Sequence, residues 1–194
     1  MTPALEKARR RAEARAIVAG LSSADRAAQA SQLATTILAS PEWHSARKLL
    51  LFVPLPDEID LRPLIAVALA AGKRVALPSF NPDSGVYLAR EIRDPEKDLV
   101  VGRFKIPEPR EHCRVLPVSE LDYVLVPGLM FDVAGGRLGR GKGFYDRLLQ
   151  QTTGRKLGVG FREQLGPLVP TEPHDQRLDG VITAAGFRLS QQVI

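Results

Sequence analysis

Residues 126–147 read VPGLMFDVAGGRLGRGKGFYDR, and this stretch carries the strongest structural signal in the chain. Its last thirteen residues contain five glycines and four cations, directly after an apolar run typical of a buried strand. Glycines let backbone N–H groups approach a ligand closely, and arginine and lysine bind anionic oxygens. The residues from Phe144 onward are typical of a helix, whose N-terminus adds unpaired N–H donors. The stretch therefore predicts a phosphate-binding loop between a strand and a helix.

This loop departs from the usual mononucleotide-binding pattern at one position. Gly136 to Lys142 matches G-x-x-x-x-G-K, but Gly143 stands where that pattern has a serine or threonine that binds magnesium. A metal ion on the nucleotide would need other ligands, and Asp146, one turn into the predicted helix, is the nearest carboxylate. The alternative interpretation is a flexible glycine-rich surface loop whose cations face water.

Composition is that of a soluble globular protein, with 194 residues, 44% hydrophobic and 25% charged, and we expect one domain over residues 1–194. Cys113 is the single cysteine, which excludes an internal disulfide, and we interpret His112 beside it as incidental rather than as a zinc ligand. The longest apolar run, residues 64–71, is far shorter than the roughly 20 residues of a membrane span. The basic N-terminus lacks the apolar segment of a signal peptide, so a cytoplasmic protein without a membrane partner is expected.

The net charge of +5 arises from 27 Lys and Arg against 22 Asp and Glu, with the excess at the N-terminus and around the glycine loop. This distribution favours an anionic ligand. Nucleic acid is the competing interpretation, because RNA-binding domains are also basic. The sequence has no aromatic and basic stacking pattern, zinc-finger spacing or basic helix-turn-helix pattern, so we expect no nucleic-acid partner.

Periodicity predicts an α/β protein, a three-layer sandwich with a mostly parallel central sheet. Two helices are expected first, at 4–19 and from Ser22 or Ser23 to about residue 39. A strand, helix and strand within 48–78 form a βαβ unit, which implies parallel strands. Further strands are expected at 86–89, 121–126, 156–161 and 180–184, with a helix at 144–151. Irregular structure that could act as a lid is expected at 93–117. Ligands of such sheets bind beyond the carboxyl ends of the strands.

Three charged groups are candidates for that edge. Lys7, Arg11 and Arg15 lie four residues apart on the first predicted helix, where they could close over a triphosphate or simply form a solvated helix surface. Glu58 follows the first strand and is available to accept hydrogen bonds from a ligand, whereas Asp60 is the expected N-cap of the next helix.

The third group is the segment 173–179. Asp175 could join Asp146 as a pair of magnesium ligands, or it could form a cap or a salt bridge with Arg177. His174 is a conceivable general base. The sequence alone leaves these roles open.

Together these segments resemble the 5-formyltetrahydrofolate cyclo-ligase family. The resemblance rests on residues 126–132 and 136–147, and extends to the basic N-terminal helix and to residues 57–60, 106–109, 161–164 and 174–175. It implies ATP- and Mg²⁺-dependent conversion of 5-formyltetrahydrofolate to 5,10-methenyltetrahydrofolate, with ADP and phosphate as the other products. In the implied route the formyl oxygen attacks the γ-phosphate, and N10 then closes the ring. The resemblance also implies a fold similar to sugar-phosphate isomerases and CoA transferases; we expect a small-molecule substrate and a monomer.

The resemblance assigns roles to residues that match the family motifs. Arg140 and Lys142 are the candidates for stabilising charge on the transferred phosphoryl group. Asp146 and Asp175 match the magnesium carboxylates. The resemblance assigns ATP binding to Lys7, Arg11, Arg137, Leu138, Gly139, Arg140, Gly141, Lys142, Gly143, Phe144 and Tyr145. It assigns folate binding to Val53, Glu58, Arg140, Gly141, Lys142, Gly143 and Phe144.

The chain departs from the family pattern at Phe144, where a tyrosine is usual, so a hydroxyl contact is lost while ring stacking remains available. Arg140 and Lys142 also replace the tyrosine and glycine common in bacterial members, although other members carry the same pair. An anion-binding isomerase, or a non-catalytic folate or nucleotide sensor, could share this architecture and is the alternative class.

Overall fold

The computed structural model describes residues 3–102 and 105–190, within which six helices and eleven strands form. The helices are α1 (Pro3–Ala19), α2 (Ser23–Leu38), α3 (Pro41–Ser45), α4 (Arg62–Ala70), α5 (Pro95–Asp98) and α6 (Phe144–Leu149). The strands are β1 (Lys48–Leu50), β2 (Arg74–Asn81), β3 (Val86–Ile92), β4 (Leu99–Val101), β5 (Pro107–Pro109), β6 (Tyr123–Pro127), β7 (Met130–Phe131), β8 (Arg137–Leu138), β9 (Arg155–Val159), β10 (Gly180–Thr183) and β11 (Gly186–Leu189).

Seven strands form the central sheet in the order β11-β10-β9-β6-β1-β2-β3. The five inner strands are parallel, and β3 and β11 add antiparallel edges. The chain proceeds from β1 to β2 on one side, and from β6 to β9 and β10 on the other. The order therefore reverses between β1 and β6, and their carboxyl ends flank the crevice where ligands of such sheets bind.

Alternate residues of each strand pack on opposite faces of the sheet, as the two-residue period requires. Leu49 packs in a core with α2 and α4, whereas Leu50 packs in a second core with Leu148 and Leu149 of α6. Helices thus cover both faces, which confirms the predicted α/β sandwich with a mostly parallel sheet.

Local signals located several elements accurately. Ser22 caps α2 by accepting a hydrogen bond from the backbone N–H of Asp25, and β1 and β2 pair in parallel as expected. Several bounds differ: β1 ends at Leu50 rather than at residue 53, β2 continues to Asn81, β3 continues to Ile92, and α6 ends at Leu149. Strand β6 spans 123–127 rather than 121–126, and β9 spans 155–159 rather than 156–161.

Other predictions were wrong. The N-cap residue of α4 is Leu61, while Asp60 accepts a hydrogen bond from the Arg62 N–H and pairs with the Arg62 guanidinium. Segment 93–117 is not simply irregular, because it contains α5 and an antiparallel ladder of β4 and β5; residues 103 and 104 of that segment lie outside the described part. The edge strand β11 was not predicted. Among the described residues, none of the helices combines the length and apolar character needed to cross a bilayer.

Candidate functional site

A cavity of about 510 Å³ opens at the reversal point of the sheet, beyond the carboxyl ends of β1, β2 and β6. Its walls come from the segments that follow β1 and β6, from residues within β2, β3 and β5, from α1, from α6 and the loop before it, and from segment 172–175. All the residues that the sequence assigned to a site line this one cavity: Lys7, Arg11, Val53, Glu58, Arg137, Leu138, Gly139, Arg140, Gly141, Lys142, Gly143, Phe144, Tyr145, Asp146 and Asp175. Arg15, the third cation of the predicted helical row, is exposed and is not among the lining residues.

A hairpin absent from the sequence prediction precedes the glycine loop. Strands β7 and β8 pair with each other, so Arg137 and Leu138 are buried strand residues rather than loop residues. Asp132 holds the turn between them. One of its oxygens accepts hydrogen bonds from the N–H groups of Ala134 and Gly136, both at 2.8 Å, and the other accepts from Val169 at 2.7 Å. This carboxylate sets the direction in which the loop leaves the sheet.

Replacing Asp132 with alanine is expected to lower the free energy of unfolding by about 3 to 5 kcal/mol, because two buried N–H groups and one half-buried one lose a charged acceptor. Urea denaturation followed by circular dichroism measures the loss. Asp83→Ala, in the exposed turn between β2 and β3, is the matched control and should change stability by less than about 0.5 kcal/mol. Equal stabilities of the two variants would show that Asp132 does not hold the hairpin.

Arg137 faces inward and fixes the start of α6. It donates to Asp146 at 2.9 Å and lies 5.7 Å from the centre of the Tyr145 ring. Its side chain is only 5% exposed, against 16% for Asp146. Burial raises the pKa of Tyr145, so this phenol stays protonated at neutral pH. The ion pair positions the first helical turn beside the cavity.

The five residues between β8 and α6 form the rim of the cavity, and Gly141 and Lys142 among them are exposed. Gly141 and Gly143 have φ values of +90° and +62°, a region that side chains rarely adopt. Arg11 of α1 donates to the carbonyl of Gly139 at 2.9 Å and holds this loop to the helix. The side chain of Lys142 is exposed, and α6 begins after Gly143 without a side-chain cap.

Glu58 and Arg140 meet across the cavity. Arg140 donates to Asp57 at 2.5 Å and to Glu58 at 3.3 Å, and Glu58 also accepts from the N–H of Leu55 at 3.0 Å. Glu58 thus already has two partners, and its binding of a ligand stays a prediction. Burial raises the pKa of Glu58, and the Leu55 N–H and the Arg140 guanidinium oppose that rise only in part.

Lys7 and Asp175 form a second charged contact. Lys7 Nζ lies 2.6 Å from Asp175 and 2.6 Å from Glu172. Burial lowers the pKa of Lys7, but its bonds to the two carboxylates outweigh this and leave it above the ordinary value. The sequence left open a salt bridge between Asp175 and Arg177 as an alternative to metal binding. In the structure Arg177 instead donates to the Ala134 carbonyl, and Asp175 pairs with Lys7.

An aromatic group lines the side of the cavity nearest β3. The rings of Tyr87 and Phe144 pack edge to face with centroids 4.9 Å apart, and Phe80 lies 5.5 Å from Tyr87. Phe144 therefore contributes ring surface without the family's usual hydroxyl. Sequence reasoning missed Tyr87 and Glu172 as cavity residues, although Glu172 directly precedes the Pro173-His174-Asp175 motif.

Outside this cavity, ligand-type atoms of Asp98, His112 and Cys113 lie within 4.8 Å of one another. Burial raises the pKa of the Cys113 thiol, whose sulfur lies 3.6 Å from the Asp98 carbonyl as its hydrogen-bond donor. His112 Nε2 lies 3.7 Å from Asp98 Oδ1, and the interpretation of His112 as incidental stays a prediction.

Comparison with known proteins places the chain in a family. A model of the 5-formyltetrahydrofolate cyclo-ligase family matches residues 4–184. A 5-formyltetrahydrofolate cyclo-ligase from Escherichia coli K12 is 39% identical over 156 residues, covering 78% of this chain and 86% of that protein. The mouse protein of the same name is 27% identical over 183 residues, covering 89% of this chain and 90% of that one.

Solved structures agree with the family match. The NMR structure of 5,10-methenyltetrahydrofolate synthetase from Aquifex aeolicus has a TM-score of 0.86 at 30% identity, covering 95% of this chain and 93% of the other. The Mycoplasma pneumoniae structure of that name, at 19% identity and TM-score 0.74, covers 92% of this chain and 99% of its own and supports the fold alone. With a family match over nearly all described residues and a relative at 39% identity, the chain is an enzyme of the 5-formyltetrahydrofolate cyclo-ligase family.

Proposed function

We propose that the protein catalyses ATP- and Mg²⁺-dependent cyclisation of 5-formyltetrahydrofolate to 5,10-methenyltetrahydrofolate, releasing ADP and phosphate. The observation that carries this proposal is the convergence of two chemically different walls in one cavity. One wall is a cationic glycine loop, and the other combines the buried carboxylate of Glu58 with aromatic rings. A reaction between a nucleotide phosphate and a pterin needs both walls to face each other.

The nucleotide side uses the cations at the rim. Lys7 and Arg11 extend from α1, and Arg140 and Lys142 from the loop, so four positive groups can surround a triphosphate. The positive-φ glycines between them keep the loop backbone free of side chains that would hold a phosphate away. The exposed side chain of Lys142 is available to a phosphate group.

The folate side uses Val53, Glu58 and the rings of Tyr87 and Phe144. An ionised Glu58 can accept hydrogen bonds from the amine and ring N–H groups of a pterin, and the aromatic edges pack against its faces. The Glu58 oxygen that accepts from Arg140 becomes available to the ligand when Arg140 leaves it. Arg140 can then remain bonded to Asp57, to which it already donates its shorter hydrogen bond. This contact leaves the other N–H donors of Arg140 for the phosphate.

The chemistry divides into two displacements. The formyl oxygen attacks the γ-phosphorus, the bond from that phosphorus to the β-bridging oxygen breaks, and ADP leaves with the electron pair. N10 then attacks the activated formyl carbon, phosphate leaves with the former formyl oxygen, and the N10 proton passes to solvent. Arg140 and Lys142 place positive charge opposite the oxygens on which negative charge develops, and no covalent nucleophile of the protein is required.

The residues present fit a magnesium ion. The hydrogen bonds that Asp146 accepts from described residues all fall on Oδ1, and those of Asp175 fall on Oδ2, so each carboxylate retains an oxygen for a metal. Mg²⁺ commonly binds one or two carboxylates together with phosphate oxygens. When bound, it would neutralise charge on the phosphates.

The direct test is the absorbance of methenyltetrahydrofolate formed by the purified protein from 5-formyltetrahydrofolate. Omitting ATP or Mg²⁺ in turn should abolish the signal, and the complete mixture should restore it. Product formed equally without ATP would refute the phosphoryl route. A folded protein that binds ATP but forms no product in the complete mixture would instead favour an isomerase or a sensor.

Affinity for 5-formyltetrahydrofolate is expected to fall as pH falls through the pKa of Glu58, which lies above the ordinary 4.5. Below that pKa the carboxyl is protonated and accepts fewer hydrogen bonds from the pterin. Arg140→Gln should move this acid limb to higher pH, because Arg140 favours the ionised form. Calorimetric titration at several pH values from 4.5 to 7.5 measures this fall in affinity. Glu58→Gln is the matched control and should abolish the fall. If Glu58→Gln showed the same pH dependence of affinity as wild type, the titrating group would belong to the ligand and not to Glu58.

A further inference from the structure

The Lys7 ammonium occupies a position between two acidic side chains. It lies 2.6 Å from Asp175 and 2.6 Å from Glu172, while the Lys7 side chain is only 8% exposed. An ammonium is a compact point charge without the planar geometry that guanidinium imposes. Its surroundings here are therefore those that a small metal cation also takes, namely carboxylate oxygens converging from one loop.

A third carboxylate, that of Asp146, contacts the backbone of the same segment. Asp146 accepts a hydrogen bond from the N–H of Gln176, the residue directly after Asp175, so the start of α6 and segment 172–176 are in contact. Asp175 also accepts from the N–H of Glu172, which fixes the two acidic side chains on one turn. Of the three carboxylates, Asp146 is neutralised by Arg137, and the other two are neutralised by Lys7.

We propose that the Lys7 ammonium and the divalent cation oppose each other's binding at the carboxylates of Asp175 and Glu172, and that Glu172 is a further carboxylate of that cation site. The ammonium and a divalent ion repel each other at this distance, so the ion enters when Lys7 leaves. In the proposed function, on which this step rests, the nucleotide phosphates draw Lys7 away. Nucleotide and metal ion then bind cooperatively. The nucleotide draws away the Lys7 ammonium that repels the metal ion, and the metal ion neutralises the carboxylates that repel the phosphates.

The helix allows this exchange without moving as a whole. Lys7 has a flexible four-carbon side chain, and Arg11, one turn further along α1, is held to the loop by its bond to the Gly139 carbonyl. Glu172 is 37% exposed, so an ion can reach its carboxylate from solvent. Only the end of the Lys7 side chain must turn toward the phosphates.

Titration of the protein with Mn²⁺ alone, followed by the electron paramagnetic resonance of the free ion, tests the proposal without nucleotide, folate or turnover. Lys7→Met should bind Mn²⁺ about tenfold more tightly than wild type, the order expected when one unit charge is removed beside the ion. Glu172→Gln in the Lys7→Met background should reverse the gain. Arg9→Met, on the exposed face of α1 where Arg9 pairs with Glu6 and Glu13, controls for the change in net charge and should bind as wild type does.

Mn²⁺ binding by Lys7→Met within twofold of wild type would overturn the exchange, and a full gain that persists with Glu172→Gln would remove Glu172 from the site. A second measurement covers the case in which Lys7→Met folds poorly. Glu172→Gln alone, at a half-exposed position, should weaken binding of the Mn²⁺ complex of ATP about tenfold if it loses one ligand charge, and unchanged binding would again exclude Glu172. Failure of the cyclisation assay would leave the Mn²⁺ result standing, so the two proposals can fail separately.

Discussion

Asp146→Asn is expected to lower kcat/KM for cyclisation by at least about 100-fold, because a direct metal ligand should cost no less than the 10- to 100-fold typical of residues around it. Asparagine has the same shape, so its Oδ1 can still accept hydrogen bonds from Arg137 and from the Gln176 N–H, and the first turn of α6 should keep its position. The change removes the charge while it keeps the packing. Steady-state kinetics at several Mg²⁺ concentrations measure the effect.

The metal dependence distinguishes a ligand from a residue that only positions the helix. For a ligand, the Mg²⁺ concentration that gives half-maximal rate should rise together with the loss of kcat/KM. Asp83→Asn is the matched control, since Asp83 is exposed in the turn between β2 and β3 and does not line the cavity. A wild-type rate in Asp146→Asn would remove this residue from the mechanism, and a reduced rate with unchanged Mg²⁺ dependence would make it a support for Arg137.

Lys142→Ala is expected to reduce kcat by about 100- to 1,000-fold, the loss seen when one group that stabilises developing charge is removed. The side chain of Lys142 is exposed, and no described residue accepts a hydrogen bond from its ammonium. Its backbone carbonyl accepts from Arg147 and is unaffected by the change. The thermal midpoint of unfolding should therefore remain that of wild type while the rate falls.

Single-turnover kinetics at saturating ATP separate the chemical step from nucleotide binding. If Lys142 stabilises the transferred phosphoryl group, the loss appears in the single-turnover rate; if it only binds ATP, the loss appears in KM for ATP and saturation restores the rate. Lys97→Ala removes an exposed lysine of α5 and should leave both parameters unchanged. A saturating rate for Lys142→Ala equal to wild type would exclude the assigned catalytic role.

Elements with a local signal were predictable. The serine that caps α2 and the apolar runs of β1, β6 and β10 depend on neighbours in sequence, and the structure confirms them. Elements whose pairing is decided by distant residues were missed. Strands β7 and β8 have only two residues each, too few to show a period, and β5 contains two prolines that argue against a strand although it pairs at an edge.

The candidate site divides in the same way. The glycine loop and Asp146 are adjacent in sequence, so their chemistry was visible as one motif. The partners were not visible, because Arg140 meets Glu58 across 82 residues and Lys7 meets Asp175 across 168. Tyr87 lines the cavity because β3 lies under α6, a packing relation that no local pattern encodes.

Local sequence patterns predicted the α/β class, the edge of the sheet at which the cavity opens, and the charged residues that line this cavity. These follow from short-range periodicity and from the side-chain chemistry of a dense motif. Tertiary structure alone decided which charges neutralise one another: Arg140 on Asp57 and Glu58, Arg137 on Asp146, and Lys7 on Glu172 and Asp175. The physical reason is that an ion pair depends on distance in space and on burial, which the chain sets only when its remote segments pack together.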